Sequence, residues 1–222
     1  RTYHKPLGYA GDYEVIDRIY CYHMAAGAEL RRWEEFYQHQ PGAQAVRNRK
    51  AYFLKLLEEK HRRFPKGLRL LNLASGPARD LFEAYLAAPG YRMQCDCAEQ
   101  DPRAIAYARE LLGSFAEQVR FQQRNVLRLQ PERKYDLVWS AGLFDYLKDK
   151  TFVFLLRNAL QWVRPGGEIV IGNFSPENPS RPFMESMLDW RLEHRSAERL
   201  KELARQAGGT TKKRQQVKAA PL

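Results

Sequence analysis

Cysteine is scarce: Cys21, Cys95 and Cys97 are the only three in 222 residues, too few for a disulfide scaffold. No apolar run approaches the roughly 18 to 20 residues of a membrane span, which excludes an integral helical membrane protein. No secretory signal opens the chain, so a reducing, cytoplasmic setting is expected. No repeat or low-complexity segment interrupts the sequence. The three-glycine dinucleotide fingerprint is missing. Cys95 and Cys97 alternate with Gln94 and Asp96 and read as small core residues sharing one strand face. With no histidine nearby, no metal site is expected.

What is present defines a folded domain. Hydrophobic residues make up 44% and aromatics 12%, which excludes a mainly disordered chain despite 28% charged residues. Lys and Arg number 37 against 26 acids, a net charge of +11. That balance raises nucleic acid as a partner. The basic residues, however, are dispersed among acids and apolar positions, as on solvated helix faces. The chain opens at Arg1 without methionine and closes at Leu222 in mid-pattern, which suggests a piece of a longer protein.

Residues 1–13 (RTYHKPLGYAGDY) read as a Gly/Pro/Tyr-rich loop. From Glu14 to about Glu59 apolar residues recur at helical spacing, with a break at Gln40-Pro41-Gly42 separating two helices. Residues 1–65 thus form an N-terminal lid loop and helical cap, and 66–222 a core. In that core, strand candidates at 68–74 (a near-continuous apolar run), 91–101, 119–126, 135–142 and 168–175 alternate with helical patterns, about 25 to 35 residues apart. A last helix is expected from about Pro182 to Ala207, then a weak strand over 212–220. The rhythm is that of an α/β fold with a doubly wound, mostly parallel sheet and helices on both faces.

Such sheets bind ligands beyond the carboxyl ends of their strands. After the first strand comes Asn72-Leu73-Ala74-Ser75-Gly76-Pro77-Ala78, a small-residue turn that lets backbone approach a ligand, or an ordinary strand-to-helix turn. The second strand ends in Glu99-Gln100-Asp101-Pro102. An acid there can accept two hydrogen bonds from a ribose diol, while Asp101 also suits a helix N-cap. Asn125-Val126 after the third strand could read an adenine edge and cover its ring.

The order LLNLASGP, AEQDPRAIAYAR, RNV, YDLVWSAGLFDYL and WVRPGGEIVIGNF resembles class I S-adenosylmethionine-dependent methyltransferases over about residues 66–175. KPLGYAGDYEVIDRIY, SAGLFDYL and GNFSPENPSRPFMESMLDWRLEHRS resemble more narrowly the bacterial extracellular-factor, or 3-hydroxypalmitic acid methyl ester, biosynthesis proteins. The resemblance implies a Rossmann-like methyltransferase fold with S-adenosyl-L-methionine as cofactor. It implies that Ala74, Ser75, Gly76 and Pro77 line the methionine portion and that Glu99, with Gln100 and Asp101, holds the ribose. Asn125 and Val126 would flank the adenine, and Ser140, Ala141 and Gly142 would wall the sulfonium. The usual G-x-G-x-G is here A-S-G-P-A, a normal form in the narrower family, and the usual acid of the first strand is Asn72. The implied reaction is O-methylation of the carboxylate of a small or fatty hydroxy acid.

A carboxylate is ionised at neutral pH and needs no general base. Three clusters could build its pocket. Tyr9, Asp12 and Tyr13 sit in the loop able to close over the cofactor, or in a plain turn before a helix. Phe144, Asp145 and Tyr146 follow the fourth strand; Tyr146 could bond a carboxylate oxygen or be a half-buried aromatic. Asn173, Ser175, Asn178 and Arg181 follow the fifth, with Arg181 as a bidentate clamp or a surface charge. Tyr146 and Asn173 are the candidates for positioning the acceptor. Met184, on the next helix, could roof the site or pack in the core.

The alternatives are an RNA methyltransferase and a non-catalytic cofactor-binding or interaction module. The Asn/Asp-Pro-Pro-Tyr signature of DNA amino-methyltransferases is replaced by SAGL. In this class two further antiparallel strands close the sheet; here that hairpin is expected to be incomplete, leaving an exposed edge that favours a dimer.

Overall fold

The computed structural model describes residues 4–208. Five strands form one sheet: β1 (Leu68–Leu73), β2 (Met93–Glu99), β3 (Val119–Gln123), β4 (Tyr135–Ser140) and β5 (Val163–Ile171). Their order is β3-β2-β1-β4-β5 and every pairing is parallel. The direction of winding reverses between β1 and β4, which puts the switch-point crevice at the carboxyl ends of those two strands. The expected strand over 212–220 and the completeness of the hairpin lie outside the described residues.

Eight α-helices accompany the strands among the described residues: α1 (Tyr13–Tyr20), α2 (Ala28–Gln38), α3 (Pro41–Arg63), α4 (Arg79–Ala87), α5 (Pro102–Leu112), α6 (Asp149–Trp162), α7 (Arg181–Met187) and α8 (Ala197–Gln206). β1 explains the layering. Leu68 and Leu70 face a core with Phe53 of α3, Leu81 of α4 and Ala108 of α5. Leu71 and Leu73 face the other way, against Phe152 and Leu155 of α6 and Leu203 of α8. Burial on both sides, as in the central strands β1 and β4, is what a near-continuous apolar run requires. A third cluster, with Val15, Ile19, Val46, Phe174, Met184, Trp190 and Leu192, roofs the carboxyl ends of the strands. Among the described residues no helix is long and apolar enough to cross a membrane.

Three expectations need correction. The segment before Pro41 is not one helix but two, α1 and α2, parted at residues 21–27 where Tyr22 takes a positive φ. The fifth strand, expected over 168–175, begins already at Val163, and Arg164-Pro165-Gly166-Gly167 bulges from it. Val163 pairs with Tyr135, and the next partners are Glu168 and Leu137. A Cβ on Gly167 would stand 2.7 Å from Val163 Cγ1 and 2.9 Å from the Asp136 carbonyl oxygen, so only glycine lets the bulge fold back. The strand ends at Ile171, and residues 172–175 leave the sheet.

Nor does one helix run from 182 to 207. It breaks between α7 and α8 because the backbone there bonds to the strand ends instead of its own preceding turn. Glu193 N–H donates to the Asp145 carbonyl (2.7 Å) and Arg195 N–H to the Phe174 carbonyl (2.9 Å). The Arg195 side chain, buried, then donates to the Phe144 carbonyl (3.1 Å), Asn173 Oδ1 (2.9 Å) and Asp149 Oδ1 (2.9 Å).

Candidate active site

The turn after β1 carries three left-handed residues in five: Ala74 (φ 51°), Gly76 (φ 54°) and Ala78 (φ 52°). These are the alternating positions where the sequence has A-x-G-x-A, and the backbone conformation is one that glycine adopts freely and alanine at a cost of roughly 1–2 kcal/mol. The turn is anchored by Ala74 N–H on the Ala98 carbonyl (2.8 Å) and by Gly76 N–H on Glu99 Oε2 (3.0 Å). Glu99 Oε1 accepts from the N–H groups of Gln100 (2.8 Å) and Asp101 (3.0 Å). The carboxylate therefore ties the ends of β1 and β2 together and keeps acceptor capacity on Oε2.

Two buried polar atoms at this turn have no protein partner, Asn72 Nδ2 and Ser75 Oγ. Buried polar groups are nearly always paired, so a donor and a hydroxyl left open three residues apart hold hydrogen-bonding capacity that a polar ligand would satisfy. Ser140, at the end of β4, directs its hydroxyl to the Leu73 carbonyl (3.2 Å) and so braces the turn from the other flank.

The N-terminal strap lies over this end of the sheet. Asp12 caps α1 through the N–H groups of Glu14 and Val15 (both 3.0 Å). Leu7 O accepts from Arg103 Nη2 (3.3 Å), Lys5 pairs with Asp189, and the Tyr13 ring packs on Tyr107 with centroids 5.3 Å apart. Gly11 must be glycine: a Cβ would meet Trp190 Cζ2 and Tyr146 Oη at 2.5 Å each. The Tyr9 phenol is raised above its ordinary pKa by burial first and then by the carboxylates of Glu99, Asp12 and Asp101, which places it within electrostatic reach of the β2 terminus. Asp17 of α1 grips Arg79 with both oxygens (2.8 and 2.9 Å) and accepts from the Tyr107 hydroxyl (2.6 Å). The strap is thus latched to the helix that begins just after the Ala74–Ala78 turn.

The ends of β4 and β5 carry the residues expected from the sequence to meet an acceptor. Tyr146 Oη accepts from Trp190 Nε1 (2.9 Å), and enclosure of the hydroxyl raises its pKa while one side of the ring stays open, the residue being 41% exposed. Asn173 is engaged structurally, donating to the Glu193 carbonyl (2.8 Å) and accepting from Arg195. Phe144 is fully buried and packs edge-on against Phe152 (4.8 Å), facing the core. Met184 is buried in the roof, its sulfur 3.1 Å from where a Cβ of Gly42 would be. Ser175 is exposed and pairs with Glu177; Arg181 is exposed and pairs with Glu185 (2.7 Å). Asn125 is exposed and caps the short turn at Val126, which is itself buried. Asp101 is the N-cap of α5 and is held below the ordinary carboxylate pKa chiefly by its hydrogen bonds from the Arg103 side chain.

The sequence reading missed Arg49. This α3 side chain reaches the β4 terminus, donating from Nη1 to the Ala141 carbonyl (2.8 Å) and Asp145 Oδ2 (2.6 Å), and lies over the Phe174 ring at 4.4 Å. Its helix is rich in arginine and lysine, and nothing in the spacing singles it out.

Residues 70–167 match the family described as a methyltransferase domain. Over 57 residues the chain is 32% identical to phosphoethanolamine N-methyltransferase 1 of Arabidopsis thaliana, a match covering 25% of this chain and 11% of that protein. The fold is similar to a solved structure described as a possible exported protein from Bordetella parapertussis, with TM-score 0.69 and 21% identity over 89% of this chain and 72% of that one. It is also similar to LepI in complex with S-adenosylmethionine, with TM-score 0.54 and 16% identity over 64% of this chain and 37% of that one. The fold is therefore a Rossmann-like sheet of the kind these structures share, residues 70–167 are similar to a methyltransferase domain, and S-adenosylmethionine is the cofactor that a domain of that kind implies.

Proposed function

We propose that the chain is an S-adenosylmethionine-dependent methyltransferase that O-methylates the carboxylate of a small or fatty hydroxy acid. The observation that carries the cofactor half is the pair of buried, unpartnered atoms Asn72 Nδ2 and Ser75 Oγ beside the left-handed turn. A bound amino acid moiety would satisfy both. S-adenosylmethionine supplies a methyl group on a sulfonium, open to in-line displacement. The chain's residues then hold it: Ala74–Pro77 and Asn72 along the methionine portion, Glu99 Oε2 on a ribose hydroxyl, Gln100 and Asp101 beside it, Asn125 and Val126 at the adenine. Ser140, Ala141 and Gly142 wall the reacting side, and Tyr13 with the Tyr9–Asp12 strap covers the top.

Catalysis of this kind rests on positioning and exclusion of water. A carboxylate acceptor fits because His194, behind Phe174, is committed elsewhere: Nε2 meets Asn178 Nδ2 (3.1 Å) and Nδ1 the Leu192 carbonyl (3.1 Å). Burial further lowers its pKa. The acceptor is left to Tyr146, whose hydroxyl is fixed by Trp190. The test is incubation with methyl-labelled S-adenosylmethionine and separate pools of 3-hydroxy fatty acids, plain fatty acids, ethanolamine-type amines and RNA. Labelled methyl ester in the acid pools is expected; label on amine or RNA alone overturns the acceptor assignment.

A further inference from the structure

The ends of β4 and β5 meet around one guanidinium. A Cβ on Gly172 would stand 2.2 Å from the Ala141 carbonyl oxygen and 3.1 Å from Arg49 Nε, and one on Gly142 would stand 3.5 Å from Arg49 Nη1. Both strand ends are bare of side chains where Arg49 crosses them. The guanidinium is braced on two sides. Ala141 O and Asp145 Oδ2 take the Nη1 edge, and the Phe174 ring supports one flat face. Asp145 is itself fixed, since its Oδ1 accepts the Phe174 N–H at 2.6 Å.

That leaves the Nε–Nη2 edge, which has no acceptor among the described residues although the side chain is only 13% exposed. Two parallel N–H groups on one edge match the two oxygens of a carboxylate, and an arginine already held in place loses little freedom on binding one. Donors left unmade in a largely buried side chain are costly unless a ligand or water takes them. The sequence-derived candidate, Arg181, has neither property: it is exposed and already paired with Glu185.

We infer that Arg49 is the acceptor-recognition residue, binding the carboxylate of the acceptor through its Nε–Nη2 edge beside Gly142 and Gly172. This rests on the acidic-acceptor reading of the same site. It makes Arg49 specificity-determining: an uncharged ester or amide of the same chain leaves the edge unpaired and binds poorly.

The test is calorimetric titration of the S-adenosylhomocysteine-loaded protein with 3-hydroxydecanoate and with its methyl ester. Arg49→Lys keeps the charge opposite Asp145 and removes the two-pronged edge. The expected result is at least tenfold weaker binding of the acid by Arg49→Lys, with S-adenosylhomocysteine affinity and unfolding midpoint unchanged. Arg181→Gln should bind the acid as the native chain does. Should Arg49→Lys unfold early, the double variant Arg49→Gln/Asp145→Asn, which leaves no charge unpaired, should show the same loss. Equal affinity for the acid in a folded Arg49 variant, or equal affinity of the native chain for acid and ester, overturns the assignment while leaving an acidic acceptor in place. A native chain that binds S-adenosylhomocysteine and no carboxylate overturns the acidic-acceptor reading itself, and the clamp with it.

Discussion

Asp17 and Arg79 form a two-pronged ion pair, Oδ1 to Nε at 2.8 Å and Oδ2 to Nη2 at 2.9 Å, that fastens the first helix to the start of α4. Both side chains are mostly buried, at 8% and 18% exposure, so the pair is screened little by solvent. Arg79 follows the left-handed turn directly, so whatever holds Arg79 holds the strap against the carboxyl end of the sheet.

Asp17→Asn keeps the shape and removes the charge. Cofactor affinity should fall about five- to thirtyfold, equivalent to roughly 1–2 kcal/mol. The change should lie in dissociation, measured by stopped-flow release of S-adenosylhomocysteine. An unchanged release rate would show that the latch plays no part in retaining the cofactor.

Ala74→Gly should stabilise the protein. Ala74 holds a left-handed backbone at φ 51°. Relief of that strain, offset by the greater entropy that glycine loses on folding, should leave a gain of about 0.5–1 kcal/mol. Denaturant unfolding should show a higher midpoint with the slope unchanged. A lower midpoint would contradict the strain argument.

Asp80 gives a pH signature. Burial pushes its carboxyl from 3.8 up to about 6, against the opposing hydrogen bonds from the Leu81 N–H and Trp139 Nε1. An acid with a raised folded pKa binds more protons folded than unfolded, so its contribution is fully present below about pH 4 and is lost as pH rises through about 6. Asp80→Asn should remove a loss of up to about 3 kcal/mol, so that variant minus native stability grows between those pH values. A flat difference across the range would show that Asp80 keeps an ordinary pKa.

How much of this was legible beforehand depends on the range of the interaction. Alternation of strand and helix patterns made the five strands recognisable, most plainly β1 and β4, whose residues are buried on both faces and need no partner to be recognised. The tight turn after β1 was legible from its small residues, and Glu99 stood out as an acid ending an otherwise buried strand. The break between α7 and α8 was hidden because Met184, Met187 and Leu188 keep a helix-like spacing, while further on the N–H groups of Glu193 and Arg195 bond to the distant Asp145 and Phe174 carbonyls. Ser196, which caps α8 by accepting from Arg199 N–H (3.2 Å), was the local signal available. Asn173, Phe144 and Arg181 were placed correctly in sequence relative to the strands, but which way each side chain turns is decided by Arg195, Phe152 and Glu185. Pairs such as Asp17 with Arg79, or Arg49 with Asp145, join segments whose proximity only the fold determines.

Glu99→Gln should weaken S-adenosylhomocysteine binding at least tenfold, since the native carboxylate accepts three backbone N–H groups and has Oε2 capacity for a ribose hydroxyl. Hydrogen bonds to a charged acceptor contribute roughly 1.5–3 kcal/mol, and an amide puts an N–H where one of the backbone donors points. Binding at native strength would remove Glu99 from the cofactor site.

The central claim is that the crevice beside Asn72, Ser75 and Glu99 holds S-adenosylmethionine. Calorimetric titration of the purified chain with S-adenosylmethionine and S-adenosylhomocysteine measures it directly. Saturable one-to-one binding in the micromolar range, lost together with Glu99→Gln, is the predicted result. A folded chain that takes up neither compound would contradict the account.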